Sequence, residues 1–579
     1  MSRGGLKSQL RHDFGSADEV LHACIRDDDV PRLRQLLQAS PAASDINYSH
    51  PGFGPPLHFA AWCGNLDAVD LLLAAGADAL IVSGDQQMLT AIGFAALKGH
   101  RDVVKRLWTC CPPESHVEGL KPYQTCIVVA AMHGHVSIVE DLLDWWNGWS
   151  QDLRVQALRS AARQWHFGVV TLLLERESFG QPTLQEALHD ATGHKPLLSD
   201  EYYNVRYEGI DYPNQQLLIG SLIDAGADPN SCPNNTPLIY TVACNANLTG
   251  ALKTLLERGA DPNKTNGSGK SALHVLTGPV PIRQMGSGPV LLNDTAIHLL
   301  LQHKASVSQP DTAGECPIHW AAYGFDLRLF RIYLYSHSGP DRDTLLRSTN
   351  NNGETLLHFA AAGCRIEVME YLLCQGLDVN ATNSNGWTPL MCALTPIDRN
   401  AVGDTKIKTL AEAMRAACHL LSHGADPSIT TNEGWTPLHV LALHCDLDET
   451  GKAAELAKDL ISRGADPEAR APLLSPANRN HSLGVRWGIP WGGRLRDTMG
   501  DPSAEGMIIR YDMMPLHWAA ERGAVGVIRA LLAIGVNFSS MDVGGTSPAR
   551  MAAESMFLKR RTDLVDNIIN LLVGAGAGF

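Results

Sequence analysis

The 579 residues are 45% hydrophobic and 19% charged, the balance of a folded protein, and this excludes a disordered chain. Asp and Glu number 61 against 47 Lys and Arg, and the net charge of −14 argues against direct nucleic-acid binding over a broad face. Thirteen scattered cysteines without a C-x-x-C pair, an opening (MSRGGLKSQLRHDF) with no apolar segment, and no apolar run near the ~18 residues of a membrane span predict a soluble protein with reduced thiols. The expected setting is the cytoplasm, the nucleus or both.

Residues 1–17 read as an N-terminal tail, and from about Asp18 the chain repeats itself. Six units up to Asn230 begin near Asp18, Pro55, Leu89, Tyr123, Leu153 and Pro182. Eight more begin near Thr236, Ser271, Cys316, Thr355, Thr388, Thr436, Met514 and Thr546. The phrase GWTPL stands at Gly386–Leu390 and again at Gly434–Leu438, and its relatives are PPLHFAAWCG from Pro55, CPIHWAAYG from Cys316, TLLHFAAAG from Thr355 and MPLHWAAERG from Met514. A second phrase, L-x-x-x-G-A-D-P, spans Leu222–Pro229, Leu255–Pro262, Leu420–Pro427 and Leu460–Pro467.

Each phrase has a mechanical reading. In TPLH the Thr caps a first helix, helix A, and the Pro fits its first position, where a missing N–H costs nothing. The Leu points inward, and the Ala pairs (Ala60–Ala61, Ala321–Ala322, Ala519–Ala520) let helices approach closely. A second helix, helix B, supplies an apolar stripe such as Val69, Leu72 and Leu73, or Val103, Val104 and Leu107. The Gly of GAD ends helix B in the left-handed conformation. One helix pair cannot bury its apolar face alone, so neighbouring pairs stack.

Gly226 and Gly259 lie 33 residues apart, and with these motifs the chain resembles the ankyrin-repeat family from about Asp18 to Phe579. The resemblance implies an all-α ankyrin-repeat solenoid of about 14 helix–turn–helix units joined by β-hairpin-like fingers. The organisation expected is N-terminal repeats over 18–230, central repeats over 231–470, a long finger insertion over 471–512, and C-terminal repeats with a cap over 513–579. The first unit lacks TPLH and the last ends in GAGAGF, as atypical capping repeats do.

Departures from the period are the most individual feature. Extra residues fall between helices A and B at His194–Pro213, Gly278–Asn293, Pro396–Lys408 and Cys445–Gly451, which should line one edge. The first holds Tyr202, Tyr203, Tyr207 and Tyr212, and reads either as a loop packed on its own aromatics or as a binding loop. The largest insertion contains GVRWGIPWGGRLRD at Gly484–Asp497, with Trp487, Trp491, Arg486, Arg494 and Arg496. Trp and Arg are the residues enriched at interface hot spots, so this finger is either a partner-binding arm or a flap over its own solenoid.

Catalytic motifs are missing. Gly267–Ser271 reads GSGKS, but the glycine a phosphate-binding loop needs would fall at Lys264. No H-E-x-x-H or G-x-S-x-G occurs. His58, His274, His319, His358, His439 and His517 occupy the TPLH slot, a structural position. Neither His133/His135 nor Cys110–Cys111 has zinc-ligand spacing, and Leu558–Arg561 reads as a solvated helix end, with a nuclear import patch as the alternative. The sequence therefore assigns no catalytic, cofactor-binding or metal-binding residue and no cofactor.

The family resemblance implies binding to other proteins through a concave face, where the positions after the Ala pair and before the Thr of TPLH vary. Here these positions hold Trp62, Leu97, Met132, His133 and Tyr323, then Trp387 and Trp435, read either as a solvent-facing contact surface or, for some of them, as side chains packed on neighbouring fingers. Trp487, Trp491 and Arg494 of the finger join them as candidate contacts. The expected function is a non-catalytic scaffold or adaptor, specifically a transcriptional or signalling co-regulator, acting as a monomer. The alternatives are a substrate-recruiting subunit of a ubiquitin ligase, for which no docking segment is visible, and an enzyme with an unrecognised site within 467–513.

Overall fold

The structure is a computed structural model that describes residues 20–39, 46–50, 54–83, 89–111, 124–193, 213–243, 249–277, 294–336, 340–395, 409–444, 451–476, 507–538, 541, 545–555, 558 and 561–576. Two compact units divide the chain. The first comprises Met1–Pro233 with Asn247–Ala260, the second Asn234–Ala246 with Asp261–Phe579.

In the first unit the A helices are α1 (Val20–Asp27), α3 (Pro56–Cys63), α5 (Ala91–Lys98), α7 (Gln124–Met132), α9 (Gln151–Arg163) and α11 (Gln181–Thr192). The B helices are α2 (Val30–Ala39), α4 (Leu66–Ala74), α6 (Arg101–Cys110), α8 (Val136–Trp145), α10 (Phe167–Arg176) and α12 (Pro213–Asp224), followed by α14 (Thr249–Glu257). Each A helix packs on the next A helix and each B on the next B. Ala60, Ala61, Ala95, Ala96, Ala130, Ala131, Ala161 and Ala162 are all fully buried, because only a methyl group fits where successive A helices meet. Val69, Leu72, Val103, Val104 and Leu107 form the buried B stripe, while Leu73 is half-buried.

In the second unit the helices are α13 (Leu238–Ala243), α15 (Ala272–Thr277), α16 (Asp294–Gln302), α17 (Pro317–Gly324), α18 (Leu327–Tyr335) and α19 (Pro340–Leu346). There follow α20 (Leu356–Ala362), α21 (Ile366–Cys374), α22 (Pro389–Leu394), α23 (Leu410–Ser422), α24 (Pro437–Leu441) and α25 (Lys452–Ser462). The last four are α26 (Pro515–Arg522), α27 (Val525–Ala533), α28 (Pro548–Glu554) and α29 (Thr562–Gly574). In chain order the described helices thus read as fourteen A–B pairs with α19 as an extra helix, in line with the sequence.

The TPLH slot shows why this tetrapeptide recurs. The Thr436 hydroxyl accepts from His439 N–H, and Thr436 N–H donates back to His439 Nδ1 at 3.1 Å. A backbone N–H can only donate, so Nδ1 accepts and the proton lies on Nε2. That Nε2 donates to the Met513 carbonyl (3.2 Å), and His358 and His274 do the same to Trp387 (3.0 Å) and Glu315 (2.9 Å). One ring therefore closes the start of helix A and ties it to the next finger.

The fingers repeat a polar turn. Asp311, Asn350 and Asn383 side chains accept from the backbone two and four residues on, around Gly314, Gly353 and Gly386 at positive φ. Adjacent tips are joined by Asn351 N–H to Ala313, Ser384 N–H to Asn352 and Asn432 N–H to Asn385. At the long finger this pattern gives way to a two-stranded antiparallel ribbon, β1 (Ala471–Pro476) with β2 (Met507–Met513), in register from Leu473↔Arg510 to Pro476↔Met507, with a register shift before the Ala471↔Met513 pair. Its base is fastened by buried Ala471 and Met513 and by the His439 bond. The insertions within 194–212, 278–293, 396–408 and 445–450, and the finger within 477–506, lie outside the described residues.

Candidate protein-interaction surface

Three successive A helices of the first unit end in left-handed glycines, Gly64, Gly99 and Gly134. A methyl group on these glycines would strike the rings of His100, His135 and His166 at 2.4–2.5 Å. Those histidines open the B helices of the next repeats, and their Nε2 atoms reach back to the carbonyls of Trp62 (3.1 Å), Leu97 (3.0 Å) and Met132 (2.9 Å). The main chain is thereby clamped at three of the positions expected to contact partners, while their side chains stay half-buried. In the second unit Arg365 replaces the histidine and donates to the Tyr323 carbonyl at 2.9 Å.

On this clamped backbone the side chains form a mixed stripe. The Lys98 ammonium stands 4.6 Å over the Trp62 ring, which itself stacks on Phe59. His133 lies on His135 with centroids 6.4 Å apart, and burial, then His135, His166 and Lys98, hold its pKa below the usual imidazole range. His100 is lowered too, chiefly by burial. At the next unit Arg163 and Arg159 both reach Asp190 at 2.8 Å. The stripe thus offers an indole, a thioether and an imidazole beside one exposed ammonium.

Tyr323, Trp387 and Trp435 are corrections: they do not face solvent. All three are 4–6% exposed, and the reason is ring packing, between neighbouring fingers for Trp387 and Trp435 and within helix α17 for Tyr323. Trp387 lies 5.7 Å from Trp435, and Trp435 meets Trp518 edge to face at 4.4 Å. Tyr323 turns edge-on to Trp320, which with Trp518 is core as the sequence indicated. Trp487, Trp491 and Arg494 lie outside the described residues, as do Lys559 and Arg560. The clamp histidines were missed, although a histidine directly ahead of each B helix (Gly99-His100, Gly134-His135, Trp165-His166) was a readable signal. Among the described residues, one group of three side chains, Glu370, His419 and His423, brings potential metal-ligand atoms within 4.8 Å of one another.

Family models agree with this architecture. One describing ankyrin repeats in many copies matches residues 318–373 and 357–395, and a single ankyrin-repeat model matches 55–83, 233–267 and 433–472. The chain is an ankyrin-repeat protein. Human Inversin is 25% identical over 222 residues, 34% of this chain and 20% of that protein. The probable E3 ubiquitin-protein ligase XBOS33 of Oryza sativa subsp. japonica is 40% identical over 92 residues, 16% of this chain and 17% of its own. Human ankyrin repeat and SOCS box protein 14 is 36% identical over 93 residues, 16% of this chain and 15% of its own. The chain therefore spans no more than about a fifth of these curated relatives. Ankyrin repeats mediate binding to other proteins.

Proposed function

We propose that this ankyrin-repeat chain is a non-catalytic scaffold inside the cell, in the cytoplasm or nucleus, that recruits a regulatory protein along the stripe Trp62, Leu97, Lys98, Met132 and His133. One observation supports this reading above the others: the stripe's backbone is fixed by three histidine clamps while its side chains are left half-buried or, at Lys98, exposed. A rigid backbone carrying adaptable apolar tips loses little entropy on binding. A role as co-regulator in transcription or signalling follows if that partner is itself a regulator. The second reading, a substrate-recruiting subunit of a ubiquitin ligase, is favoured by the likeness to a probable E3 ligase and to a SOCS box protein, each over 16% of this chain.

The test is proximity labelling followed by a quantitative pull-down of wild type, a Lys98→Glu/Met132→Asp variant and a Trp487→Ala/Trp491→Ala variant. The stripe variant is expected to weaken the principal interaction by about 2 kcal/mol or more, roughly 30-fold, with an unchanged melt. Full retention of every partner by that variant would sink the stripe. Loss only in the tryptophan pair would move the contact to the long finger.

A further inference from the structure

We propose that Glu370, His419 and His423 form a binding site for a divalent transition-metal ion of zinc-like preference, bridging the B helices of two successive repeats. Glu370 projects from α21, His419 from the last turn of α23, and His423 is the residue that caps α23. The histidines are four residues apart, so a helix places them on one face. Their rings stand 4.4 Å apart, and both Nε2 atoms approach the same carboxylate oxygen, His419 at 3.1 Å and His423 at 3.3 Å.

Three features distinguish this cluster from an ordinary ion pair. First, the spacing suits a shared ion: four ligands about 2.0–2.1 Å from zinc stand at the corners of a tetrahedron with edges of about 3.4 Å. Second, the ring protons are placed for ligation. His423 Nδ1 lies 2.9 Å from the His419 carbonyl and donates to it, which leaves the Nε2 lone pair free toward Glu370. Third, His419 Nε2 is buried and makes no hydrogen bond, despite its closeness to the carboxylate. A buried imidazole nitrogen without a hydrogen bond is costly, and a metal ion would satisfy it. Burial also lowers the His419 pKa, with His423 adding to the effect and Glu370 opposing it.

The donor set selects the metal class. Two imidazoles with one carboxylate suit zinc and its neighbours, while magnesium and calcium take oxygen ligands. The Cys374 thiol, 3.8 Å from the other Glu370 oxygen, steadies the carboxylate from behind. Glu370 and His423 keep 49% and 34% of their side-chain surface exposed, which leaves a fourth position open to water. Bound there, the ion would staple α21 to α23.

The experiment uses the full chain stripped with chelator and titrated with zinc chloride by calorimetry, with cobalt(II) absorption as a second readout. Wild type is compared with Glu370→Gln, His419→Asn and His423→Gln. The expected result is one zinc equivalent lost in each variant, with affinity falling more than ~100-fold, beyond the usual effect of an outer-shell change. Cobalt should give ligand-field bands without a thiolate charge-transfer band, and zinc should raise the melting midpoint of wild type only. Unchanged stoichiometry and affinity in His423→Gln and Glu370→Gln would overturn the site, because zinc would then be held by other histidines or thiols. Failure of wild type to bind, with a lower melt in Glu370→Gln, would leave only a hydrogen-bonded ion pair and would equally overturn it.

Discussion

Gly99 is the residue on which the first unit's clamp turns. Its φ of +81° is a conformation that disfavours side chains, and a Cβ there would lie 2.5 Å from the His135 ring. Gly99→Ala should therefore destabilise by about 1–2 kcal/mol from backbone strain alone, and by more while His135 is present. Adding His135→Ala removes the collision, so the double variant should be less destabilised than the sum of the two singles. Denaturant titrations of the four proteins check this; additive losses would mean that the two residues do not touch. The tryptophans at 387 and 435 teach the opposite lesson about single positions. Their place before the TPLH threonine suggested exposure, but large rings in consecutive fingers reach one another and bury themselves.

A helix A of this protein is short, five residues in α24, and too short to persist without help from its cap and its neighbours. Two contributions can be separated there. Thr436→Ala removes the side-chain acceptor for His439 N–H and should cost on the order of 1 kcal/mol. Leu438 is fully buried between repeats, and Leu438→Ala should cost about 2–5 kcal/mol through the cavity it leaves. The order of the two losses in urea titrations is the check, and a larger loss at Thr436 would place the main stabilisation in the cap. The ribbon of β1 and β2 follows from the same logic of local satisfaction. Once the finger before Met514 lengthens, the turn with its polar side-chain acceptor is gone, and strand pairing supplies the backbone partners instead.

Across the second unit, the buried TPLH histidines couple stability to acid. Burial pushes the pKa values of His319, His358 and His439 down to about 4, against about 6.5 in the unfolded chain. Below pH 6.5 the unfolded chain takes up protons that the folded one refuses. Stability is thus fully present above pH 6.5, declines as pH falls toward 4, and levels off below that. Each ring contributes on the order of 3 kcal/mol at the acid limit, so the unit should melt much earlier at pH 5 than at pH 7.5. His439→Asn should flatten the slope by up to one proton. A melt that is independent of pH between 7 and 5 would show these rings to be protonated or exposed.

The sequence by itself determined the repeat: TPLH, the Ala pair and GAD specify caps, close approach and helix ends within a few residues. These interactions are local, and each recurs in many copies, so the fold class and the number of helix pairs were legible without coordinates. Trp320 and Trp518 were read as core for the same reason. What only the tertiary structure decided depends on which repeat lies against which. Trp387 and Trp435 are buried by a neighbour 48 residues away, across an insertion that hides the period. The pairing of Glu370 with His419 and His423 is of the same kind. The two histidines announce themselves at helical spacing, but their carboxylate comes from the previous B helix, on the far side of residues 396–408. Side-chain direction and repeat-to-repeat register set such contacts, and neither is carried by any one stretch of chain.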